Sequence, residues 1–402
     1  MPLEPIPVSS GRPGHILVVD DSVTTRMALV RLLRHGSGDW KIAGAPDAEA
    51  AIHEAGRAAS GGEPFHLVLL DVEMPGMSGL EAVPHLLALP SPPRVMMVAS
   101  PTRRSAESTF AALAAGASDF VPKPSSRGLA GFERELLSKV AALLPAPAPV
   151  ARTFQPVSPV AAADARQPVM GARARSAQRA ERPAAAEWSS SSTPSVTPIP
   201  SLAPSGSGLR VVAIGASTGG PAAIAAVLRG LRGIETGPVV ITQHMPAAFL
   251  PVFADQLAPV IGRPCAEAED GAALRPDRVY VAPGERHLLV ERTGSRLLTR
   301  LDDGPPENFC RPAVDPMFRS VARAFGPAAL AVILTGMGQD GADGCAAIRA
   351  AGGRVLAQDE SSSIVWGMPG AVVRRGLADA VLTLDGIAPA IVAAVRRAGC
   401  AR

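Results

Sequence analysis

Residues 145–207 carry neither the helical nor the strand period of apolar residues. This stretch, which begins PAPAPVARTFQPVSPV and ends SLAPSGS, is built largely from Pro, Ala, Ser and Arg. Such a composition buries too little apolar surface to offset chain ordering, so a disordered linker is expected. It divides the 402 residues into two blocks, each of a size that suits one domain at about 100–200 residues per domain. At about 5–6 Å × √n a flexible linker of this length spans on the order of 40–50 Å. The two blocks can therefore touch or separate. Six Arg against three acidic residues in the linker leave open, beside a plain spacer, the binding of an acidic partner. The organisation expected is a tail over 1–13, a first domain over 14–144, the linker over 145–207 and a second domain over 208–400.

Both blocks alternate short apolar strands with helical stretches. In the first the strands are HILVVD (15–20), FHLVLLD (65–71), RVMMVAS (94–100) and DFVPK (119–123), with a weaker one near Trp40–Gly44. In the second they are VVAIGAS (211–217), PVVITQH (238–244), RVYVAPG (278–284), AALAVILTG (328–336) and RVLAQD (354–359). Near-continuous apolar strands separated by helices predict parallel sheets covered on both faces. The fold class is thus α/β, with two doubly wound parallel-sheet domains, the second a three-layer α/β/α arrangement. Residues 288–302, LLVERTGSRLLTRLD, read as an inserted antiparallel hairpin around Thr293–Gly294.

The net charge of +3 creates no global field towards nucleic acid or membrane. No apolar run is long enough to span a bilayer, and the N-terminus lacks the basic and apolar regions of a signal peptide. Four cysteines (Cys265, Cys310, Cys345, Cys400) show no CxxC spacing, which argues against zinc and a disulfide framework. A cytoplasmic protein is expected.

In the first block Asp20 and Asp21 close the first strand, Asp71 closes the third and Lys123 closes the fifth. Strand C-termini of an open parallel sheet converge on one crevice. Carboxylates gathered there suit a hard cation such as Mg²⁺, and the metal with the lysine would neutralise charge while Asp71 attacks a phosphoryl group. Any one Asp at such a place could instead cap the next helix. With VVDDS, LLDVEMPGMSG and GASDFVPKP, residues 14–144 resemble the response-regulator receiver family. That resemblance implies Asp71 as phospho-acceptor, served by a phosphohistidine kinase. It implies Asp21, Asp71 and the Glu73 carbonyl as Mg²⁺ ligands with Asp20 nearby, and Phe120 as the switch aromatic. The family's hydroxyl after the fourth strand falls on Ala99, which leaves Ser100 to supply it or the switch more weakly coupled.

In the second block Ser217 stands where VVAIGAS turns into a helix, the place that best exposes a nucleophilic oxygen. Gly215–Ser217–Gly219 satisfies G-x-S-x-G, but a glycine turn between strand and helix suits a dinucleotide loop equally. The block holds two histidines, His244 and His287. His244 closes PVVITQH on the same rim as Ser217, whereas His287 follows a turn. LAVILTGMGQDG delivers Asp340 to that rim, where it could orient an imidazole or cap the helix that follows. In the catalytic reading Ser217 attacks a carbonyl, His244 takes its proton and Asp340 fixes the imidazole. Backbone donors near Ser217 and Thr218, with the Met337 amide, would hold the oxyanion.

The order Ser, His, Asp disfavours an ordinary α/β-hydrolase, because no histidine follows His287. GASTGG, TQHMP, RPAVDPMF, LTGMGQDG and SSIVWGMPGAV, in this order over residues 209–395, resemble the chemotaxis protein-glutamate methylesterase family. The resemblance implies hydrolysis of glutamate methyl esters on methyl-accepting chemoreceptors, with deamidation of receptor glutamines. It also implies the triad Ser217, His244 and Asp340 with Thr218 and Met337 at oxyanion positions, and no cofactor for the esterase. Asn308–Asp315 falls in a loop near the active-site face. A receiver in front implies control: unphosphorylated it covers the Ser217 face, and phosphorylation at Asp71 exposes the site. The competing reading is a phosphorylation-controlled nucleotide-binding or docking module. It lacks the acidic ribose-binding residue about twenty positions beyond the turn, since Glu235 lies in a GIETG turn.

Overall fold

The computed structural model describes residues 14–36, 40–123, 129–144 and 210–399. The N-terminal tail and the linker expected from the sequence lie outside the described residues. The first unit alternates β1 (His15–Val19), α1 (Val23–Gly36), β2 (Lys41–Ala45), α2 (Ala48–Ser60), β3 (Leu67–Asp71), α3 (Gly79–Leu87), β4 (Arg94–Ala99), α4 (Arg103–Ala114), β5 (Asp119–Pro122) and α5 (Leu129–Leu143). Its sheet is parallel in the order β2-β1-β3-β4-β5. Side chains alternate across each strand. Leu17, Val19, Val68 and Leu70 therefore pack on the α2–α4 side. Ile16, Val18, Leu67 and Leu69 pack with Leu29, Leu33, Leu136 and Val140 of α1 and α5. Burial on both faces is why these strands read as unbroken apolar runs.

The second unit runs β6 (Val211–Ala216), α6 (Gly220–Gly230), β7 (Val239–Gln243), α7 (Leu250–Ile261), β8 (Cys265–Glu267), β9 (Val279–Val281), β10 (His287–Thr293), β11 (Arg296–Asp302), α8 (Val314–Phe325), β12 (Ala329–Ile333), α9 (Ala342–Ala350), β13 (Arg354–Gln358), α10 (Gly367–Arg374), β14 (Ala380–Leu382) and α11 (Leu384–Gly399). Seven parallel strands lie in the order β14-β13-β12-β6-β7-β9-β8. The α6, α7 and α11 layer covers one face and the α8–α10 layer the other. The expected hairpin is a separate sheet, β10 against β11, with Thr293 paired to Arg296. Its turn is therefore Gly294–Ser295, one residue later than the sequence suggested. β8 and β14, three residues each, were too short to read from periodicity. Among the described residues no helix is long and apolar enough to cross a membrane.

The two units touch. Phe110 on α4 stacks on Phe253 of α7 with ring centres 5.6 Å apart, and Phe120 on β5 lies 4.6 Å from Phe249 just before α7. Arg103 pairs with Asp255 at 3.0 Å. On α5, Ser138 Oγ donates to Met337 Sδ at 2.6 Å.

Candidate active site

Strand order places the sequence-picked residues of the second unit on one rim. β6, β7 and β12 are neighbours, and Ser217, His244 and Asp340 lie beyond their C-terminal ends. Local hydrogen bonds fix the spacing. Ser217 N donates to Thr335 O at 3.0 Å, and His244 N to Ala216 O at 3.1 Å. The Gln243 amide reaches both Ser217 O (2.9 Å) and His244 O (3.0 Å). Gly336 is glycine of necessity, since a Cβ there would lie 2.9 Å from Ser217 N and 2.4 Å from Met368 Sδ. Gly219 holds a left-handed φ of 75° that turns the chain into α6. Ser217 is half-buried at this turn.

His244 Nε2 meets Asp340 Oδ2 at 2.7 Å. Asp340, 1 % exposed, also accepts from Val314 N (2.6 Å), Asp315 N (3.1 Å), Gly341 N (2.9 Å) and Asn308 Nδ2 (3.1 Å). The first two donors are free N–H groups at the start of α8, whose N-cap, Ala313, has no side chain to satisfy them. Asp340 thus caps α8 from a distant loop, not the following helix that sequence logic offered as the alternative. Burial pushes the Asp340 carboxyl up, but His244 and the α8 amides outweigh it and leave it below its usual range. Burial also works to lower the His244 imidazole, and its bonds to Asp340 and Cys310 override this and raise it to about 10.

Asp340 occupies Nε2, and the other imidazole nitrogen, Nδ1, faces Cys310 Sγ at 3.5 Å. Among the described residues Ser217 Oγ and His244 share no hydrogen bond, a looseness common before substrate tightens a site. The amides of Thr218 and Met337 donate to no group among the described residues, so both remain available to an oxyanion. His287 bonds backbone groups instead. It is 1 % exposed, with Nε2 on Pro305 O at 3.0 Å and Nδ1 accepting from Ala313 N at 3.1 Å, so both nitrogens are committed.

The loop over 307–313 and the first turn of α8 contribute more than sequence reasoning assigned to them. Asn308 Nδ2 bridges Asp340 to Asp315 Oδ2 (2.9 Å). Asp315 is buried, its other oxygen accepting from Gly344 N at 2.6 Å. Burial, with the Asp340 charge adding to it, raises the Asp315 carboxyl to about 6. The clustering of Asn308, Cys310 and Asp315 in one short stretch was the available signal, but loop residues carry no period from which a facing direction could be read.

In the first unit Asp20, Asp21 and Asp71 present oxygens within 4.8 Å of one another. Lys123 Nζ lies 2.7 Å from Asp71 Oδ2 and 3.1 Å from Asp20 Oδ2. Burial holds the Asp71 carboxyl above its usual range, with Lys123 pulling the other way. Asp20 Oδ2 is buried without a hydrogen-bond donor beyond that ion pair. An all-carboxylate set in which the buried Asp20 Oδ2 has Lys123 as its one partner among the described residues fits a hard divalent cation. Glu73 is exposed, and its amide approaches Asp71 Oδ1 at 3.4 Å. Ala99 ends β4, buried and opposite Pro122, and brings no hydroxyl. Ser100 follows it, half-buried, with its amide on Ser105 Oγ at 3.1 Å. Phe120, the switch position, is buried between Phe110 and Phe249.

Two family profiles match, the response regulator receiver domain over residues 16–129 and CheB methylesterase over 212–391. Across 396 residues the chain is 42% identical to a protein-glutamate methylesterase/protein-glutamine glutaminase of Azospirillum brasilense, covering 96% of this chain and 94% of that one. The chain belongs to this methylesterase/glutaminase family. A second member, from Paramagnetospirillum magneticum, is 41% identical over 390 residues, covering 94% of this chain and 95% of its own. Among solved structures, the Thermotoga maritima CheB methylesterase catalytic domain aligns at 36% identity with a TM-score of 0.45, covering 46% of this chain and 98% of that one. A receiver joined to a methylesterase unit is the family's arrangement, and regulation of the hydrolase by the receiver follows from it.

Proposed function

We propose that this chain, with domains at 14–144 and 208–400, is a cytoplasmic enzyme that hydrolyses glutamate methyl esters on methyl-accepting chemoreceptors and deamidates receptor glutamines. Ser217 Oγ adds to the side-chain carbonyl while His244 Nδ1 takes its proton. Asp340 holds the imidazole and stabilises its charge, a proton transfer worth roughly 10²–10⁴-fold. The Thr218 and Met337 amides receive the oxyanion, each such donor worth about 10²–10³-fold. Collapse expels methanol, or ammonia from glutamine, with the His244 proton. Water then cleaves the acyl-serine by the reverse sequence and leaves glutamate. The 2.7 Å His244–Asp340 contact beside a half-buried turn serine carries this reading.

The receiver would accept a phosphoryl group on Asp71 from a histidine kinase. Asp20, Asp21 and Asp71, with the Glu73 carbonyl, would hold Mg²⁺, which supplies charge neutralisation. Lys123, 2.7 Å from Asp71 Oδ2, would compensate the acceptor's charge, with Ser100 nearest the usual hydroxyl position. Receiver contacts on Met337 and Phe249, which flank Asp340 and His244 in the chain, support a docked receiver that obstructs the site. Free thiols at Cys265, Cys310 and Cys345 suit a reducing compartment.

Methanol release from a methylated receptor fragment tests both halves. Ser217→Ala should abolish release, and Asp71→Asn should keep the basal rate but lose stimulation by a small-molecule phosphodonor. Release that survives Ser217→Ala, or stimulation that survives Asp71→Asn, would refute the corresponding half.

A further inference from the structure

Phe309 is 93% exposed, more than any other exposed large apolar side chain among the described residues. A single exposed apolar residue is ordinary; the way this one is held is not. Asn308 and Phe309 both adopt left-handed backbone, with φ of 49° and 65°. An L-residue with a Cβ pays for that conformation in steric strain, and the strain persists only where surrounding structure over-determines it.

The surroundings do so. Glu307 and Cys310 close the turn with paired backbone bonds of 3.1 and 2.8 Å. The Glu307 carboxylate is tied to Arg319 at 2.5 Å. Asn308 is tied to Asp315 and Asp340, and Cys310 faces His244. The side chains of Glu307, Asn308 and Cys310 are each bound to the framework, and the Phe309 ring, 93% exposed, has no such partner among the described residues. Folding gains nothing from the ring. Its neighbour in the chain touches the imidazole, and consecutive Cα atoms are about 3.8 Å apart. A side-chain ester brought to Ser217 comes beside the imidazole that Cys310 faces, one residue along the chain from this ring.

We propose that Phe309 is a substrate-docking residue, its ring covering apolar surface of the substrate protein beside the esterified side chain. The proposal rests on the protein-ester reading of the site above. A small ester reaches Ser217 without needing that contact, whereas a protein substrate uses it for affinity and orientation.

The test compares two substrates on the full chain: a methylated receptor fragment, followed by methanol release, and p-nitrophenyl acetate. Phe309→Ala should raise KM for the receptor fragment by about tenfold, the scale of losing one buried aromatic contact. Hydrolysis of p-nitrophenyl acetate should stay within about twofold of the parent. Phe309→Gly should show the same split and melt no lower than the parent, because glycine relieves the left-handed backbone. Equal loss on both substrates would make Phe309 a support of the triad and overturn the proposal, as would no change on either. A parent that cleaves p-nitrophenyl acetate but releases no methanol from the receptor fragment would overturn the substrate reading itself, and the docking role with it.

Discussion

Replacing Cys310 with alanine should move the pH dependence of hydrolysis towards acid. In the proposed mechanism His244 accepts a proton from Ser217 only when neutral, so a pKa raised to about 10 would put the rising limb of activity above neutrality. Asp340 and Cys310 favour the charged ring, and alanine removes the second. Hydrogen bonds to charged groups contribute about 1.5–3 kcal/mol, and a thiol at 3.5 Å belongs at the weak end. At 1.36 kcal/mol per unit, the shift is about one unit downward. Asp340 remains, so the imidazole stays above its free value of 6.5. The assay is kcat/KM on a small ester from about pH 6 to about pH 11. The rising limb should shift about one unit to lower pH, and the rate near neutrality should climb severalfold, short of tenfold because a weaker base is less effective. Cys310→Ser, which keeps a polar partner, should fall between. The sign has a stability counterpart. His244, with its pKa raised on folding, adds stability that is full below its free value and lost as pH rises through about 10. A limb that stays in place, or moves to higher pH, would refute the assignment of Nδ1 as the base held by Cys310.

Phe110→Ala should loosen the receiver. Its ring stacks on Phe253 and meets Phe249 edge-on at 6.5 Å, and truncating an aromatic anchor of an interface costs about 2 kcal/mol or more. Basal methanol release without phosphodonor should rise and the stimulation by phosphodonor should shrink; an unchanged basal rate would count against the docked receiver as the obstruction. Asp315→Asn should flatten part of the stability profile. The parent's carboxyl rises from 3.8 to about 6 on folding, so its contribution is full below the lower value and lost as pH rises through the upper one, by up to about 3 kcal/mol. Denaturant midpoints between about pH 4 and pH 7 should fall more in the parent than in the variant, and parallel curves would show that Asp315 does not titrate there.

Strand logic made much of this protein legible in its sequence. Runs such as LVLLD and VVAIGA are buried on both faces, so they announced a parallel sheet, and parallel sheets present their C-terminal ends together. That was enough to bring Asp20, Asp71 and Lys123 to one crevice, and Ser217, His244 and Asp340 to one rim. It was not enough to say which helix Asp340 caps, because Val314 N and Asp315 N reach it across 25 residues or more of chain. The Asn308 bridge and the Cys310 contact were hidden for the same reason. The aromatic contact between the units was hidden too. Nothing in the sequence pairs Phe110 with Phe249 and Phe253, and only the assembled surfaces show that they meet.

That contact links the two sites through one short strand. β5 carries Phe120, and Lys123 follows it at the Asp20–Asp71 crevice, three residues further on. Lys123 is bound to Asp71, and Phe120 lies against Phe249, which is five residues beyond His244. Lys139 crosses the Phe120 ring at 5.2 Å and donates to the Phe120 carbonyl, so β5 is also held from α5. The Phe120 ring cannot leave its place without unpacking the esterase side of the interface. Docking therefore stabilises the receiver arrangement in which that ring is buried, and the same arrangement stabilises docking. Coupling of this kind is reciprocal. By whatever factor phosphorylation of Asp71 weakens the docked state, docking must disfavour the phosphorylated receiver by the same factor. If the docked receiver obstructs the site as proposed, a tightly docked receiver is thus a poorer phospho-acceptor at equilibrium as well as a better obstruction, and a stronger aromatic contact should lower the resting activity and raise the signal needed for release.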